Sequence, residues 1–287
     1  MRILLLLALG AFPHLPAQPL RFAMVPEGVV LERLRRIERG GNGPRHDMLR
    51  TIFEEAGCKA PELEDEKANG SKLPNLVCTL AGQSGEDIIL VTAHFDKVRA
   101  GAGAIDNWTG ASLLPSLYES MSLEKARKHT FLFVGFSDEE AGLVGSRAWV
   151  AAHKNTNLGN IRAMVNIDSV ASTAAPLYIW ASRADPELAR VALSIGKALR
   201  IPVEGMNADK VGLSDSAPFR DKKVPVIDFH SLNNQTILLL HTIDDQLSAV
   251  NIDGYKSTYR FLAGYLKYLD EHLGVKAPAG SPSGALN

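Results

Sequence analysis

An excess of charge of either sign is missing from this 287-residue sequence, in which 31 Lys and Arg balance 32 Asp and Glu. A chain with a net charge of −1 has no general basic character that would attract nucleic acid or an anionic membrane, so neither is an expected partner. Beyond the N-terminus no run of ~18 apolar residues occurs, which argues against a membrane-spanning helix there. A serine-hydrolase elbow, a P-loop and a complete dinucleotide fingerprint are also missing.

Cysteine is scarce as well. Cys58 and Cys78 are the only two, and they form neither a C-x-x-C pair nor a Cys/His knuckle. In an exported protein they would form a disulfide that closes a loop through the polar stretch 59–77. In a reduced compartment they would be two separate buried thiols. The sequence leaves both readings open.

The N-terminus has the pattern of a signal peptide. Met1-Arg2 is positive, residues 3–12 are apolar, and Ala17 offers a cleavage point. We therefore expect a signal peptide over 1–17, one folded domain over 18–274, and a disordered Ala/Pro/Ser/Gly tail over 275–287. A secreted or periplasmic protein follows from this expectation. The alternative is that the apolar run forms a buried first helix.

Strand and helix patterns alternate along the rest of the chain, apart from a Pro-, Glu- and Lys-rich stretch at 59–73 that is typical of an exposed loop. Short apolar runs predict strands over 75–80, 88–95, 130–136, 163–167, 177–180 and 224–229. Amphipathic spacing predicts helices over 29–39, 46–56, 108–121, 142–153, 186–199 and 253–273. This alternation indicates a single layered α/β domain.

Polar residues follow three of these predicted strands directly. His94 ends the first run, Ser137 to Glu140 follow the second, and Asp168 follows the third. The carboxyl ends of strands in an open α/β sheet form the edge where ligands bind. Several acids buried together there are costly unless cations compensate them, so the pattern predicts a metal site.

The spacing within these segments supports the prediction. His94 and Asp96 are two residues apart and point to the same side of an extended chain, so Asp96 can accept the second imidazole N–H. Asp106 lies in a glycine-rich loop before a predicted helix, where it could equally be a helix N-cap. The pair Glu139-Glu140 can divide the work between proton transfer and metal binding.

Each of these residues also has a plainer explanation. Acids such as Glu139 in a first helical turn favour the helix dipole. A single histidine such as His241 after an apolar run is more often a core residue, although Asp245 beside it could orient either the histidine or its loop. Only their joint occurrence indicates a site.

The motifs H-F-D at 94–96, D-N-W-T-G at 106–110, D-E-E-A-G-L-V-G-S at 138–146, N-I-D at 166–168 and H-T-I-D-D at 241–245 together resemble the M28 family of zinc aminopeptidases. The resemblance covers roughly residues 75–272 in the family's order. It implies a single three-layer zinc exopeptidase domain with a mixed, mostly parallel sheet flanked by helices. It also implies two zinc ions, with ligands His94 and Asp168 on one, Glu140 and His241 on the other, and Asp106 between them.

The resemblance implies roles beyond the ligands. Glu139 would be the general base, Asp96 the partner of His94, and a peptide with a free N-terminus the substrate. The family commonly has a cis peptide after the bridging acid, here Asp106–Asn107. Glutaminyl cyclases share the fold group and use one zinc to cyclise an N-terminal Gln, and some relatives are non-catalytic binding domains, so both remain alternatives.

Two positions depart from the family pattern. Ser216 stands where relatives often have His, and Leu240 stands where several have Tyr.

Overall fold

The computed structural model describes residues 20–37, 40–172, 175–207 and 212–274. The expected signal peptide over 1–17 and the expected tail over 275–287 lie outside these residues. In the part of the chain that is described, no helix combines the length and the apolar character needed to cross a membrane.

The centre of the molecule is one sheet. Its strands are β1 (Leu63–Glu66), β2 (Asn75–Leu80), β3 (Ile88–His94), β4 (Thr130–Phe136), β5 (Ile161–Ile167), β6 (Leu177–Trp180), β7 (Val203–Met206) and β8 (Val226–His230). They lie in the order β1-β2-β4-β3-β5-β8-β6-β7. The pairings of β3 with β4 and β5, of β5 with β8 and of β6 with β7 are parallel. The other three are antiparallel, so the sheet is mixed and mostly parallel.

Helices cover both faces of this sheet. They are α1 (Glu27–Arg35), α2 (Asn42–Glu55), α3 (Thr109–Ser122), α4 (Val144–His153), α5 (Pro186–Leu199), α6 (Ala217–Arg220) and α7 (Ile252–His272). Residues of α1, α2, α3, α5 and α7 share the larger core, whereas α4 and α6 contribute to a smaller one on the other face. Within β4, Phe131 and Phe133 enter the larger core and Leu132 and Val134 the smaller one, as the two-residue period of a strand requires. The three-layer α/β fold is confirmed.

Two short strands, β1 and β7, were not predicted from the sequence. The stretch 59–73, expected to be an exposed loop, contains β1, which pairs antiparallel with β2. Leu63 is buried there while Glu64 and Asp65 are exposed, and one apolar residue among acids gives too little alternation to reveal a strand. Strand β7 is equally short and carries no buried side chain.

The two cysteines are joined. Cys58 follows α2, Cys78 lies in β2, and the structure links their sulfur atoms in a disulfide between two buried side chains. The link fixes the end of α2 against the antiparallel edge of the sheet, away from the parallel strands described next.

Candidate metal centre

The carboxyl ends of three adjacent parallel strands bring the polar residues together. Because β4, β3 and β5 are neighbours, His94 at the end of β3 lies beside the turn after β4 and beside Asp168 after β5. The Nε2 atom of His94 is 3.5 Å from Asp168 Oδ1. The shared edge that the strand-end pattern predicted is therefore present.

Asp106 lies between the two histidines. Its Oδ1 is 3.2 Å from His94 Nε2, and its Oδ2 is 3.2 Å from His241 Nε2. His241 Nε2 is also 2.8 Å from Glu140 Oε2. The geometry thus forms two groups that share one carboxylate, His94–Asp106–Asp168 and Asp106–Glu140–His241, each with ligand atoms within 4.8 Å of one another.

This donor set fits a pair of divalent cations. Imidazole nitrogens and carboxylate oxygens are the ligands that zinc accepts, and each group offers three residues. Burial and then the nearby Asp106 raise the pKa of Glu140 to about 7. Burial and the neighbouring acids Asp215, Asp168 and Asp106 outweigh the opposing effect of His94 and raise the pKa of Glu139 to about 10. Positive charge at this point would allow these carboxylates to ionise together.

The pKa values of the two histidines are raised as well, but by their acidic neighbours rather than by burial. Burial by itself would lower the pKa of His94, but its contacts with Asp106, Asp168 and Asp96 hold that pKa well above the ordinary value. His241 is more exposed, and its contact with Asp106 raises its pKa to about 9. Since a metal must displace a proton from each imidazole, the same acids that attract a cation also attract the competing protons.

Asp96 acts on the glutamate turn as well as on His94. It lies 3.4 Å from His94 Nδ1 without forming the hydrogen bond that the two-residue spacing predicted. Its two oxygens also accept hydrogen bonds from the backbone N–H groups of Glu139, at 3.0 Å, and Glu140, at 3.2 Å. A single carboxylate therefore sets the position of both glutamates relative to the histidine.

Asp245 orients the loop that carries Asp106. Its Oδ1 accepts a hydrogen bond from the backbone N–H of Ile105 at 2.7 Å, and its Oδ2 accepts one from the N–H of Asp106 at 3.2 Å. The sequence left open whether Asp245 orients His241 or its own loop, and these contacts instead join its loop to the loop of Asp106. The peptide between Asp106 and Asn107 is cis, as in the family pattern.

The loop of His241 approaches the glycine-rich loop closely. His241 itself has a positive φ of 59° and a side chain that is 56 % exposed, at the mouth of the site. A Cβ atom at Gly101 would come within 2.3 Å of the carbonyl oxygen of Thr242. Only glycine therefore allows the two loops to meet, which explains why Asp106 and His241 can face each other.

Arg45 supports the site and was not found from the sequence. It is fully buried in α2, and its guanidinium donates to the carbonyl oxygens of Phe95, Ala102 and Gly103. It ties the end of β3 to the glycine-rich loop, and burial lowers its pKa to about 10. A charged residue in the first half of an amphipathic helix is usually solvent-exposed, so no signal in the sequence distinguished it.

Ser216, which stands where relatives often have His, forms a hydrogen bond with a buried carboxylate. Its hydroxyl donates to Asp228 Oδ2 at 2.6 Å, and Ser214 donates to Asp228 Oδ1 at 2.7 Å. All three side chains are buried. Asp215, between the serines, is also buried, and burial raises its pKa to about 7. The carboxylate of Asp228 thus holds the segment 214–216 through hydrogen bonds to the serines at both of its ends.

The fold thus places two clusters of imidazole and carboxylate groups, with one shared carboxylate, at the carboxyl edge of its sheet. The model of peptidase family M28 matches residues 75–266, two thirds of the chain, and the chain belongs to that family.

Curated relatives share part of their length with this chain. It is 26% identical over 166 residues to leupeptin-inactivating enzyme 1 of Streptomyces exfoliatus, covering 57% of this chain and 37% of that protein. It is 29% identical over 150 residues to aminopeptidase YwaD of Bacillus subtilis, covering 50% of this chain and 32% of that protein. The chain thus spans about a third of the length of these relatives.

Solved structures are similar in fold. The Legionella pneumophila LapA aminopeptidase aligns with a TM-score of 0.72 at 18% identity, covering 87% of this chain and 71% of that one. The Porphyromonas gingivalis glutaminyl cyclase aligns with a TM-score of 0.68 at 16% identity, covering 86% of this chain and 99% of that one.

Proposed function

We propose that this chain is a zinc-dependent aminopeptidase that binds two zinc ions and removes the first amino acid from peptides with a free N-terminus. The observation that carries the proposal is the position of Asp106, whose two oxygens lie 3.2 Å from the Nε2 atoms of His94 and His241. One ion would need only one of the two groups. A second cluster of buried acids without a cation would destabilise the folded state, because like charges would repel one another with nothing to compensate them.

The ligands divide between the two ions. His94 and Asp168 would hold one, Glu140 and His241 the other, and Asp106 both. Zinc in such a site supplies a Lewis acid, which polarises the substrate carbonyl and makes water more acidic. Asp96 and Asp245 keep the ligand-bearing segments in place through the backbone hydrogen bonds described above.

Glu139 would transfer the proton. It is half-buried and its backbone is fixed by Asp96, and the positive charge of bound metal would lower its raised pKa so that the carboxylate could accept a proton. In this role it takes a proton from the attacking water and returns it to the leaving amine. The acidic surroundings also suit the positively charged α-amine of a substrate, which favours exopeptidase over endopeptidase action.

A glutaminyl cyclase is the second candidate. In the structural alignments the chain covers 99% of the P. gingivalis cyclase and 71% of the LapA aminopeptidase. The Asp106–Glu140–His241 group alone would hold a single ion.

An assay that offers aminoacyl-anilides and a Gln-initiated peptide to the zinc-loaded protein separates the two candidates. We expect hydrolysis of the anilides, and cyclisation without hydrolysis would contradict the proposal. A gently purified protein that contains no metal and has neither activity would instead point to a non-catalytic binding domain.

We also propose that the protein is exported. The apolar stretch 3–12 and the Cys58–Cys78 disulfide support this, since disulfides persist in oxidising compartments. N-terminal sequencing of the protein from its host tests it. A mature chain that starts at Gln18 is expected, and one that starts at Met1 inside the cytoplasm would contradict it.

A further inference from the structure

A small cavity adjoins the candidate metal centre. It has a volume of about 30 Å³ and is lined in part by Asp168, Trp180, Phe229, His230 and Leu232. A single water needs roughly 10–15 Å³ of such space, so the cavity accepts a group of two or three heavy atoms. Because Asp168 is one of the candidate ligands, the cavity lies beside the place where the first residue of a peptide would react.

The wall of this cavity contains a histidine with a defined protonation state. His230 Nδ1 accepts a hydrogen bond from the backbone N–H of Leu232 at 3.1 Å, so the ring proton is on Nε2. Burial lowers the pKa of His230 to about 4, which keeps the ring neutral near pH 7. Among the described residues, Nε2 is buried and has no hydrogen-bond partner.

The neighbours of His230 hold its ring in place. Its centroid is 5.7 Å from that of Tyr178 and 6.0 Å from that of Trp180. The hydroxyl of Ser214, which also lines the cavity, already donates to Asp228. A buried donor that lacks an acceptor costs about 1–3 kcal/mol, so a ligand that brings an acceptor into the cavity recovers that cost.

We propose that His230 is a specificity determinant, which favours peptides whose first residue has a short, uncharged side chain with a hydrogen-bond acceptor, namely Ser or Thr. This inference rests on the proposed aminopeptidase function. The size of the cavity disfavours Leu and Phe, and the carboxylate of Asp168 in its wall disfavours Asp and Glu.

The comparison of threonyl and valyl anilides tests the proposal, because the two side chains have nearly the same shape and differ by a hydroxyl in place of a methyl group. For the zinc-loaded wild type we expect kcat/KM to be about ten-fold higher for the threonyl substrate. His230→Phe keeps an aromatic ring but removes the donor, so the threonyl-to-valyl ratio of kcat/KM should fall toward one. His230→Gln keeps a donor and an acceptor and should preserve much of the preference.

His272→Phe is the matched control, since His272 is exposed at the end of α7 and far along the chain from the cavity residues. Its threonyl-to-valyl ratio should equal that of the wild type. A wild-type ratio of one or less, or a ratio that His230→Phe leaves unchanged, overturns the role of His230 even if both anilides are hydrolysed. If His230→Phe does not fold, the threonyl-to-valyl ratios of the wild type and of His230→Gln still test the role of His230. If the wild type hydrolyses no anilide at all, the proposed function itself is wrong and the inference falls with it.

Discussion

Asp96 Oδ1 accepts a hydrogen bond from the backbone N–H of Glu139 at 3.0 Å, which joins the end of β3 to the turn after β4. The second oxygen of the same carboxylate accepts from Glu140, so the proposed base and a proposed ligand share one support. The turn also has hydrogen bonds of its own, among them one from the N–H of Gly142 to the carbonyl oxygen of Glu139 at 2.8 Å. Its geometry depends on a residue more than forty positions away, and this dependence can be tested.

Asp96→Ala should disturb both glutamates. It removes the acceptor of two buried N–H groups, and we expect kcat/KM to fall by about 10–100-fold, as for other residues that support metal ligands. Asp96→Asn keeps one acceptor oxygen and should lose less. Steady-state kinetics with an aminoacyl-anilide, together with the zinc content of each variant, gives the comparison. Equal activity in all three proteins would show that the contact does not position the turn.

Glu139→Gln should separate proton transfer from metal binding. The amide cannot accept a proton, so turnover should fall by roughly 10²–10⁴-fold, while zinc content stays close to that of the wild type. Elemental analysis and activity measured on the same preparation test this. Retained activity would mean that the base is misassigned, and lost zinc would place Glu139 among the ligands.

His241→Ala should lower zinc content, because it removes one of the three residues in the Asp106–Glu140–His241 group. We expect the number of zinc ions per chain to fall from two toward one, as measured by elemental analysis after dialysis against a weak chelator. His272→Ala, at an exposed histidine, is the control and should keep the wild-type content. If His241→Ala also keeps it, His241 is not a ligand.

The free energy of unfolding should fall in acid, because protonation of His230 is easier in the unfolded state than in the folded state. Burial lowers its folded pKa to about 4, below the unfolded value of about 6.5, so the unfolded state binds more protons between these values. Stability from this group is therefore present above about pH 6.5 and decreases as the pH falls toward 4, by about 1.4 kcal/mol per unit.

Urea unfolding of the zinc-loaded wild type and of His230→Phe at pH 7 and pH 5 measures this effect. The wild type should lose about 2 kcal/mol more than the variant between the two pH values. Equal losses would mean that His230 is not buried in the neutral form.

The sequence was most informative where a physical rule constrains it strongly. The continuous apolar runs of β3 and β4 predicted buried parallel strands, because a strand covered on both faces has no polar side. The residues that follow them, His94 and Glu139-Glu140, were predicted to meet because parallel strands end at one edge. Strands β1 and β7 were missed, since four residues with little buried surface carry almost no pattern.

Roles that depend on distant contacts were harder to predict. The sequence allowed Asp245 to orient either His241 or its own loop, whereas its carboxylate accepts hydrogen bonds from the backbone N–H groups of Ile105 and Asp106, about 140 residues away. Arg45 gave no signal at all, because its three acceptors are main-chain carbonyls that a sequence does not display.

The order of residues along the chain determined the layered α/β fold, the edge of the sheet where a site would form, and the kinds of side chain that would supply it. Hydrophobic periodicity and the placement of acids after buried strands are local properties, so a sequence expresses them directly. Only the tertiary structure decided that Asp106 lies between His94 and His241, and that the buried Nε2 of His230 finds no hydrogen-bond partner among the described residues. Such relationships depend on the close approach of loops and on which buried polar atom finds a partner, and these are set by the packing of the whole chain.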